Sequence, residues 1–373
     1  MRLAPFKIER YFARHEFAVD YVMCSSDCES VAVRDLLALE PDAESRLHGL
    51  WLGYTESAGA PALRREIARL YTTVAPEHVL VHAGAEEAIL LFMQAALEPR
   101  DHVVVHSPCY QSLAEVARGI GCDVTPWLAR EEDGWAPDLD ALRRLLRPET
   151  RVVVVNTPHN PTGYHMPADA MRALQRTLDE RGIILFFDEV YRESEYAPAD
   201  RLPAACDESE HAVSLGVVSK SYGLPGLRIG WVATRNAAVL ARMAQLKDYS
   251  TICNAVPSEL LAEIALRHRG RLASRNVGIL GANLALLDAF FARQREHVRW
   301  VRPKAGPIAF PRLVTGDVDD FCDALVRAAS VLLLPGSVYD DAGNHFRIGF
   351  GRKNMAEGLG RLEEFMRARF GGA

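Results

Sequence analysis

The sequence predicts an α/β fold: a mostly parallel seven-stranded sheet with helices on both faces, joined by a smaller α+β domain assembled from both chain ends. Three observations predict it. Short β-branched runs alternate with helical segments through the middle of the chain. Those runs are nearly continuous in apolar residues, as in Val152 to Val155 and Ile183 to Phe187, which marks strands buried on both faces. A length of 373 residues is also enough for a large core divided between two domains.

Taken in order, the expected strands are Val79–His82, His102–Ser107, Asp123–Trp127, Arg151–Asn156, Ile183–Phe187, Ala212–Val218 and Arg228–Thr234. A helical run from Ala88 to Leu97 follows the first. The last two strands are separated by only nine residues, too few for a helical crossover, so one of them is expected to run antiparallel. Residues 45–260 read as the large domain. Residues 1–44 and 261–373, richer in helix, read as the small one.

Composition excludes several classes. The net charge of −6 gives no basic footprint for nucleic acid or an anionic membrane, although a single pocket can still attract an anion. No stretch reaches the length of a membrane span, and the first thirty residues hold no apolar signal core. Seven scattered cysteines suit a reducing cytoplasm better than a disulfide framework. The nearest pair, Cys24 and Cys28, has no matching ligands, so no metal site is expected.

The positive charges are distributed unusually. Only Lys7, Lys220, Lys247, Lys304 and Lys353 are lysines, which leaves 38 of the 43 basic residues as arginine. A lysine in an apolar, glycine-rich setting therefore invites a chemical reason, because only an amine condenses with a carbonyl. Lys220 sits in such a setting, at the end of the sixth strand.

Ligands of open α/β sheets bind beyond the carboxyl ends of the strands, and polar residues gather at those ends here. The first strand runs into Gly84-Ala85-Glu86, a glycine turn opening a helix, which suits a phosphate. The second ends in Ser107-Pro108-Cys109-Tyr110. A glycine before a helix is common, and a tyrosine at such a place is as often core as ligand. The fourth strand ends in Asn156-Thr157-Pro158-His159-Asn160-Pro161-Thr162-Gly163, a turn whose prolines hold Asn160. The fifth ends in Asp188-Glu189-Val190-Tyr191, where a carboxylate after five apolar residues needs a cation or donor. The sixth ends in Ser219-Lys220, with Arg228 eight residues on. No G-x-G-x-x-G follows a strand and no P-loop occurs.

These blocks, Asn156–Gly163, Asp188–Tyr191 and Ser219–Arg228, resemble the class I/II aminotransferase family of fold-type I pyridoxal-phosphate (PLP) enzymes, over about Leu52 to Gly351. The resemblance implies a homodimer with PLP held by Lys220 as a Schiff base, an amino acid and a 2-oxo acid as substrates, and Lys220 as the base that moves the substrate proton. It implies that Asp188 pairs with the pyridine nitrogen, and that Asn160 and Tyr191 bond the phenolic oxygen. Tyr110 is expected to stack on the ring. Gly84, Ala85, Glu86, Ser219 and Arg228 are expected to hold the phosphate, with Tyr54 reaching it from the partner subunit. Arg347, in Phe346-Arg347-Ile348-Gly349, is expected to clamp the substrate α-carboxylate as a bidentate guanidinium. Many relatives carry a hydroxyl three residues before the lysine; this chain has Val217.

Within the family, transamination is the first expectation. The blocks Val217–Trp231, Gly134–Leu146 and Val331–Phe350 resemble capreomycidine synthase, which implies cyclisation or elimination on an arginine-derived substrate as the alternative. Oxidation of arginine by O₂ is a further one. A ligand sensor without catalysis is remote, since no helix-turn-helix pattern precedes the core. Family members fold their N-terminal segment over the active-site mouth. Here Asp27 and Glu29 are candidates to meet a cationic substrate side chain; alternatively, Asp27 or Ser26 caps a helix beginning near Val31.

Overall fold

A computed structural model describes residues 1–371. Its main sheet has seven strands: β1 (Val79–His82), β2 (His102–Ser107), β3 (Asp123–Leu128), β4 (Thr150–Asn156), β5 (Ile184–Asp188), β6 (Ala212–Val217) and β7 (Gly230–Ala233). The spatial order is β1-β7-β6-β5-β4-β2-β3. All pairings are parallel except those of β7, which runs antiparallel to both β1 and β6. The short β6–β7 connection thus has the expected consequence. Each expected strand lies within two residues of an observed one. The helix after β1 begins three residues earlier than its apolar run suggested, at Ala85, because Glu86 and Glu87 occupy the first turn, where acidic side chains suit the dipole.

The central strands are buried on both faces, as their unbroken apolar runs require. One face packs Val152, Val154, Phe186, Leu215 and Val232 against the helix Ala85–Ala96, where Phe92 stacks on Phe186 at 4.3 Å. The other packs Val153, Val155, Leu185 and Phe187 under Met171, Leu174 and Leu178 of the helix Ala168–Asp179. Burial of aliphatic and aromatic chains of this size contributes about 1.5–3 kcal/mol each, so this core fixes where the strands stop.

Both chain ends build a second layer. Tyr21–Val22 pairs in parallel with Val331–Leu332, and Phe346–Gly349 lies between Ile308–Ala309 and Leu334–Pro335, antiparallel to each. Helices Arg269–Arg293, Val318–Ala329 and Met355–Phe370 contribute Leu284, Phe321 and Leu362 to a common cluster with Met23, Phe346 and Ile348. The N-terminal helix, Lys7–His15, packs through Ile8 into a separate small cluster containing Cys24, Phe310 and Tyr339.

Candidate active site

A cavity of about 420 Å³ lies beyond the strand ends, and its walls join the two chain ends to the main sheet. Ala85, Glu86, Tyr110, Asn160, Asp188, Tyr191, Val217, Ser219, Lys220, Arg228 and Arg347 all line it, although they come from seven separate stretches of sequence. Asn156 and Asp188 end adjacent parallel strands in register, and this brings the Asn160 turn beside the acid. Asn156 ties them together, donating from Nδ2 to the Asp188 carbonyl (3.0 Å) and accepting at Oδ1 from the Asn160 amide (2.7 Å).

The electrostatics suit a cationic ring nitrogen and a Schiff-base lysine. Asp188 is buried, and burial pushes its carboxyl up to about 7 against one N–H from Val190 (3.1 Å). Such a group ionises readily only when a cation meets it. Burial also lowers the Lys220 ammonium, with Asp27 opposing, so the neutral amine needed for condensation becomes accessible. The Lys220 Nζ donates to Ser26 Oγ at 2.9 Å and lies 5.9 Å from the centre of the Tyr191 ring.

At the opening of the helix Ala85–Ala96, Gly84 has φ +90°, and a Cβ there would lie 2.5 Å from Arg228 Nη2. Glycine is therefore needed both for its conformation and for the close approach of the guanidinium. The helix start, Arg228 and Ser219 Oγ, a buried hydroxyl without a partner, form a cradle that fits a phosphate. Glu86 sits in the first turn of that helix, where backbone N–H groups have no intrahelical partner. Its carboxyl, pushed up to about 7 by burial and bonded by Ser112 (3.2 Å), is no anion site. The donor set fits PLP: an anion cradle, an acid for the ring nitrogen and a poised amine.

Arg347 is 1% exposed and has no carboxylate partner among the described residues. Nε and Nη2 both donate to the Cys24 carbonyl (3.0 and 2.6 Å), and Nη1 donates to the Tyr339 hydroxyl (2.6 Å) and to Asn160 Oδ1 (3.1 Å). Four of the five N–H groups of a guanidinium are thus taken, and one on Nη2 remains. Tyr339 also donates to Asn160 Oδ1 at 3.0 Å.

Two expectations need correction. Glu29 does not line the cavity; its Oε2 accepts from the Lys353 amide at 3.0 Å. Neither Ser26 nor Asp27 caps a helix. The next helix starts at Val33 behind Ala32, with no side-chain cap. Asp27 does line the cavity, but both its oxygens accept from Arg352 Nη2 (2.9 and 3.0 Å). Tyr54 stands 88% exposed and outside this cavity, beside exposed Trp51 and Leu52.

The structure adds residues that sequence reasoning missed. Ile8, Glu9, Phe12 and Glu16, on and just after the N-terminal helix, line the cavity, as do Ser26 and Arg352. The apolar spacing of Ile8, Tyr11 and Phe12 was a legible amphipathic signal. Glu9, Glu16 and Glu86 form no ion pair among the described residues, and burial, with Glu9 and Asp27, raises the Glu16 carboxyl.

Fold and site together define a PLP enzyme of the aminotransferase type. The model of aminotransferase class I and II matches residues 23–362, and the chain belongs to that family, with PLP as its cofactor. It is 31% identical to capreomycidine synthase of Streptomyces vinaceus over 96% of this chain and 92% of that one. It is 29% identical to a probable aspartate/prephenate aminotransferase of Thermus aquaticus, over 88% and 91%. Among solved structures, a PLP-dependent aminotransferase from Streptococcus suis 89-1591 superposes with a TM-score of 0.94 at 33% identity, covering 100% of both chains. The PLP-dependent cyclase OrfR does so with 0.91 at 32%, over 99% and 98%. No helix among the described residues is long and apolar enough to cross a membrane.

Proposed function

We propose that this enzyme acts on an amino acid whose side chain ends in a cation such as a guanidinium, and that it closes a ring within that substrate. The observation that carries the reading is the pair of cavity carboxyls without a cationic partner among the described residues, Glu9 and Glu16. An aminotransferase admits an amino acid and a 2-oxo acid in turn to one cavity. A dicarboxylic 2-oxo acid would bring a second negative charge towards Glu9, Glu16 and Asp27, while Arg352 is already occupied by Asp27. A cationic side chain meets the opposite situation. The similarity to capreomycidine synthase and to the cyclase OrfR supports ring closure.

PLP, when bound, supplies the electron sink that lets a bond to the α-carbon break. In our reading Asp188 would pair with the ring nitrogen, Asn160 and Tyr191 would bond the phenolic oxygen, and Tyr110 would stack on the ring. Gly84, Ala85, Glu86, Ser219 and Arg228 take the phosphate, joined by Tyr54 of a second copy in a homodimer. Exposed Trp51, Leu52 and Tyr249 support that assembly. Arg347 orients the α-carboxylate, and Lys220 Nζ removes and returns the α-proton. Without an oxidant, ring closure requires a leaving group on the β-carbon. A β-hydroxyl departs as water, a guanidine nitrogen bonds to that carbon, and the α-proton is restored. Residues 45–260 supply the cofactor cradle, and residues 1–44 with 261–373 supply the substrate-facing walls. Seven unpaired cysteines support a cytoplasmic setting.

Transamination is the second reading, favoured by the full-length superposition on an aminotransferase; a monocarboxylic 2-oxo acid would suit it best. One experiment separates the readings. Holoenzyme is offered β-hydroxyarginine and its neutral ureido counterpart, each labelled at the amino nitrogen, with pyruvate present. Loss of water with the label retained is expected, and only for the guanidinium compound. Label appearing in alanine would establish transamination, and equal turnover of both compounds would remove the cationic substrate class.

A further inference from the structure

Ser26 lines the cavity and has no part in the chemistry proposed so far. Its Oγ accepts from Lys220 Nζ at 2.9 Å, and the same side chain opposes the rise that burial imposes on the Tyr191 phenol. A serine hydroxyl has one proton and two lone pairs, so while it accepts from the amine its own proton stays available to the phenol oxygen. Ser26 thus holds the base directly, in the cavity wall it shares with Tyr191, whose ring centre lies 5.9 Å from the same Nζ.

The backbone that presents Ser26 is tied to the substrate clamp. The Cys24 carbonyl receives two bonds from Arg347, and the Met23 carbonyl accepts from the Gly349 amide at 2.8 Å. A Cβ at position 349 would lie 1.9 Å from the Ser25 carbonyl oxygen, so only glycine permits this approach. Asp27 is held by Arg352, and the Glu29 amide donates to the Gly351 carbonyl at 2.8 Å. Residues 23–29 thus lie as a strap along residues 347–352. Any adjustment of Arg347 on taking a carboxylate reaches Ser26 through two residues of restrained backbone.

We propose that Ser26 is a positioning residue. It aims the free amine of Lys220 at the α-proton, sets the Tyr191 hydroxyl, and links both to the carboxylate-bearing Arg347. This rests on reading Lys220 as the group that moves the α-proton. It extends that reading, because the strap lies outside the cofactor-binding motifs and is supplied by the chain end.

The test measures exchange of the substrate α-proton with deuterium from solvent by NMR, in holoenzyme variants Ser26→Ala, Ser26→Thr and Lys220→Ala. It is paired with a pH titration of the cofactor's visible absorption without substrate. Ser26→Ala is expected to slow exchange roughly ten-fold, the worth of one hydrogen bond to a poised group, with little change in substrate affinity. Its absorption midpoint should move upward, because Tyr191 loses its polarising donor. Ser26→Thr, which restores the hydroxyl, should recover both. Exchange and midpoint unchanged in Ser26→Ala, with Lys220→Ala inactive, would overturn the role of Ser26 alone. Exchange persisting in Lys220→Ala would overturn the reading on which it rests. If Ser26→Ala fails to retain cofactor, Ser26→Thr decides: wild-type cofactor binding with slow exchange and a displaced midpoint overturns the proposal, whereas recovery of both sustains it.

Discussion

Replacing Tyr339 with phenylalanine should tighten carboxylate binding while weakening the fold. The Tyr339 hydroxyl accepts from Arg347 Nη1 at 2.6 Å, and Asn160 Oδ1 takes the other proton of the same nitrogen at 3.1 Å. With Nε and one Nη2 proton committed to Cys24, a single N–H faces an arriving carboxylate. Bidentate engagement therefore requires Nη1 to release a partner, and the energy of that bond is subtracted from binding. A hydrogen bond from a charged donor is worth about 1.5–3 kcal/mol. Tyr339→Phe loses this bond before the substrate arrives, so the release no longer opposes binding. Water satisfies part of the freed N–H, which argues for the low end, about 1.5 kcal/mol or roughly ten-fold in Kd. The fold should lose a similar amount. The assay is titration of the cofactor's absorption with an unreactive α-methyl amino acid and with its descarboxy amine, alongside urea unfolding. Tightening should appear for the acid alone. Weaker binding of the acid would mean that Tyr339 stays bonded to Arg347 in the complex, and the release argument would be refuted.

Other expectations concern the cradle, the buried acid and the N-terminal helix. Gly84→Ala places a methyl 2.5 Å from Arg228 Nη2 at φ +90°, so PLP affinity should fall on the order of a hundred-fold, given about 1–3 kcal/mol for the strained backbone and the displaced guanidinium besides; equilibrium dialysis of the cofactor measures it. In the cofactor-free chain, burial raises Asp188 to about 7, above its unfolded value, so its contribution is favourable below about pH 4 and is lost as pH rises through 7. Asp188→Asn should therefore raise Tm at pH 8, with the gain vanishing near pH 4 and absent at any pH once PLP is bound. Lys7 pairs with Asp340 and its amide donates to Gln111 Oε1; Lys7→Ala should loosen the helix that carries Glu9 and Phe12, raising KM a few-fold, as expected for an exposed pair of about 1 kcal/mol or less, with kcat nearly unchanged.

The legible parts of this molecule are those whose cause is local. An unbroken run such as Val152 to Val155 announces a doubly buried strand by itself, and the nine residues between the last two expected strands leave no room for a helical crossover. Asp188 was readable because it ends such a strand, and Asn160 and Lys220 because they follow one within four residues, so the periodicity that placed the strand also placed the residue. The two-residue strands Tyr21–Val22, Ile308–Ala309 and Leu334–Pro335 have no periodicity to detect and exist only through partners far along the chain. Tyr339 sits in a short 3₁₀ turn, Gly336–Tyr339, and gains its meaning solely from Arg347 and Asn160. Glu29 was misjudged for the same reason. A carboxylate near the mouth could face either way, and the Lys353 amide determines which.

This division also separates what the chain does in common with its family from what is its own. The residues proposed to hold the cofactor lie at or just beyond strand ends, where the sheet dictates their position. The carboxyls that line the cavity away from the main sheet come from Glu9 on the N-terminal helix, Glu16 just after it and Asp27 on the strap, which no main-sheet strand positions. Their arrangement depends on Tyr11 bonding the Leu333 carbonyl, on Arg352 holding Asp27 and on Arg347 holding Cys24. Substitutions in this layer can change the charge presented to the substrate while leaving Asp188, Lys220 and the phosphate cradle in place. On the proposed reading, Lys220 is common to the family's cofactor chemistry, and the choice between ring closure and transamination would rest with the N-terminal forty residues and the segment from Tyr339 to Arg352 that holds them.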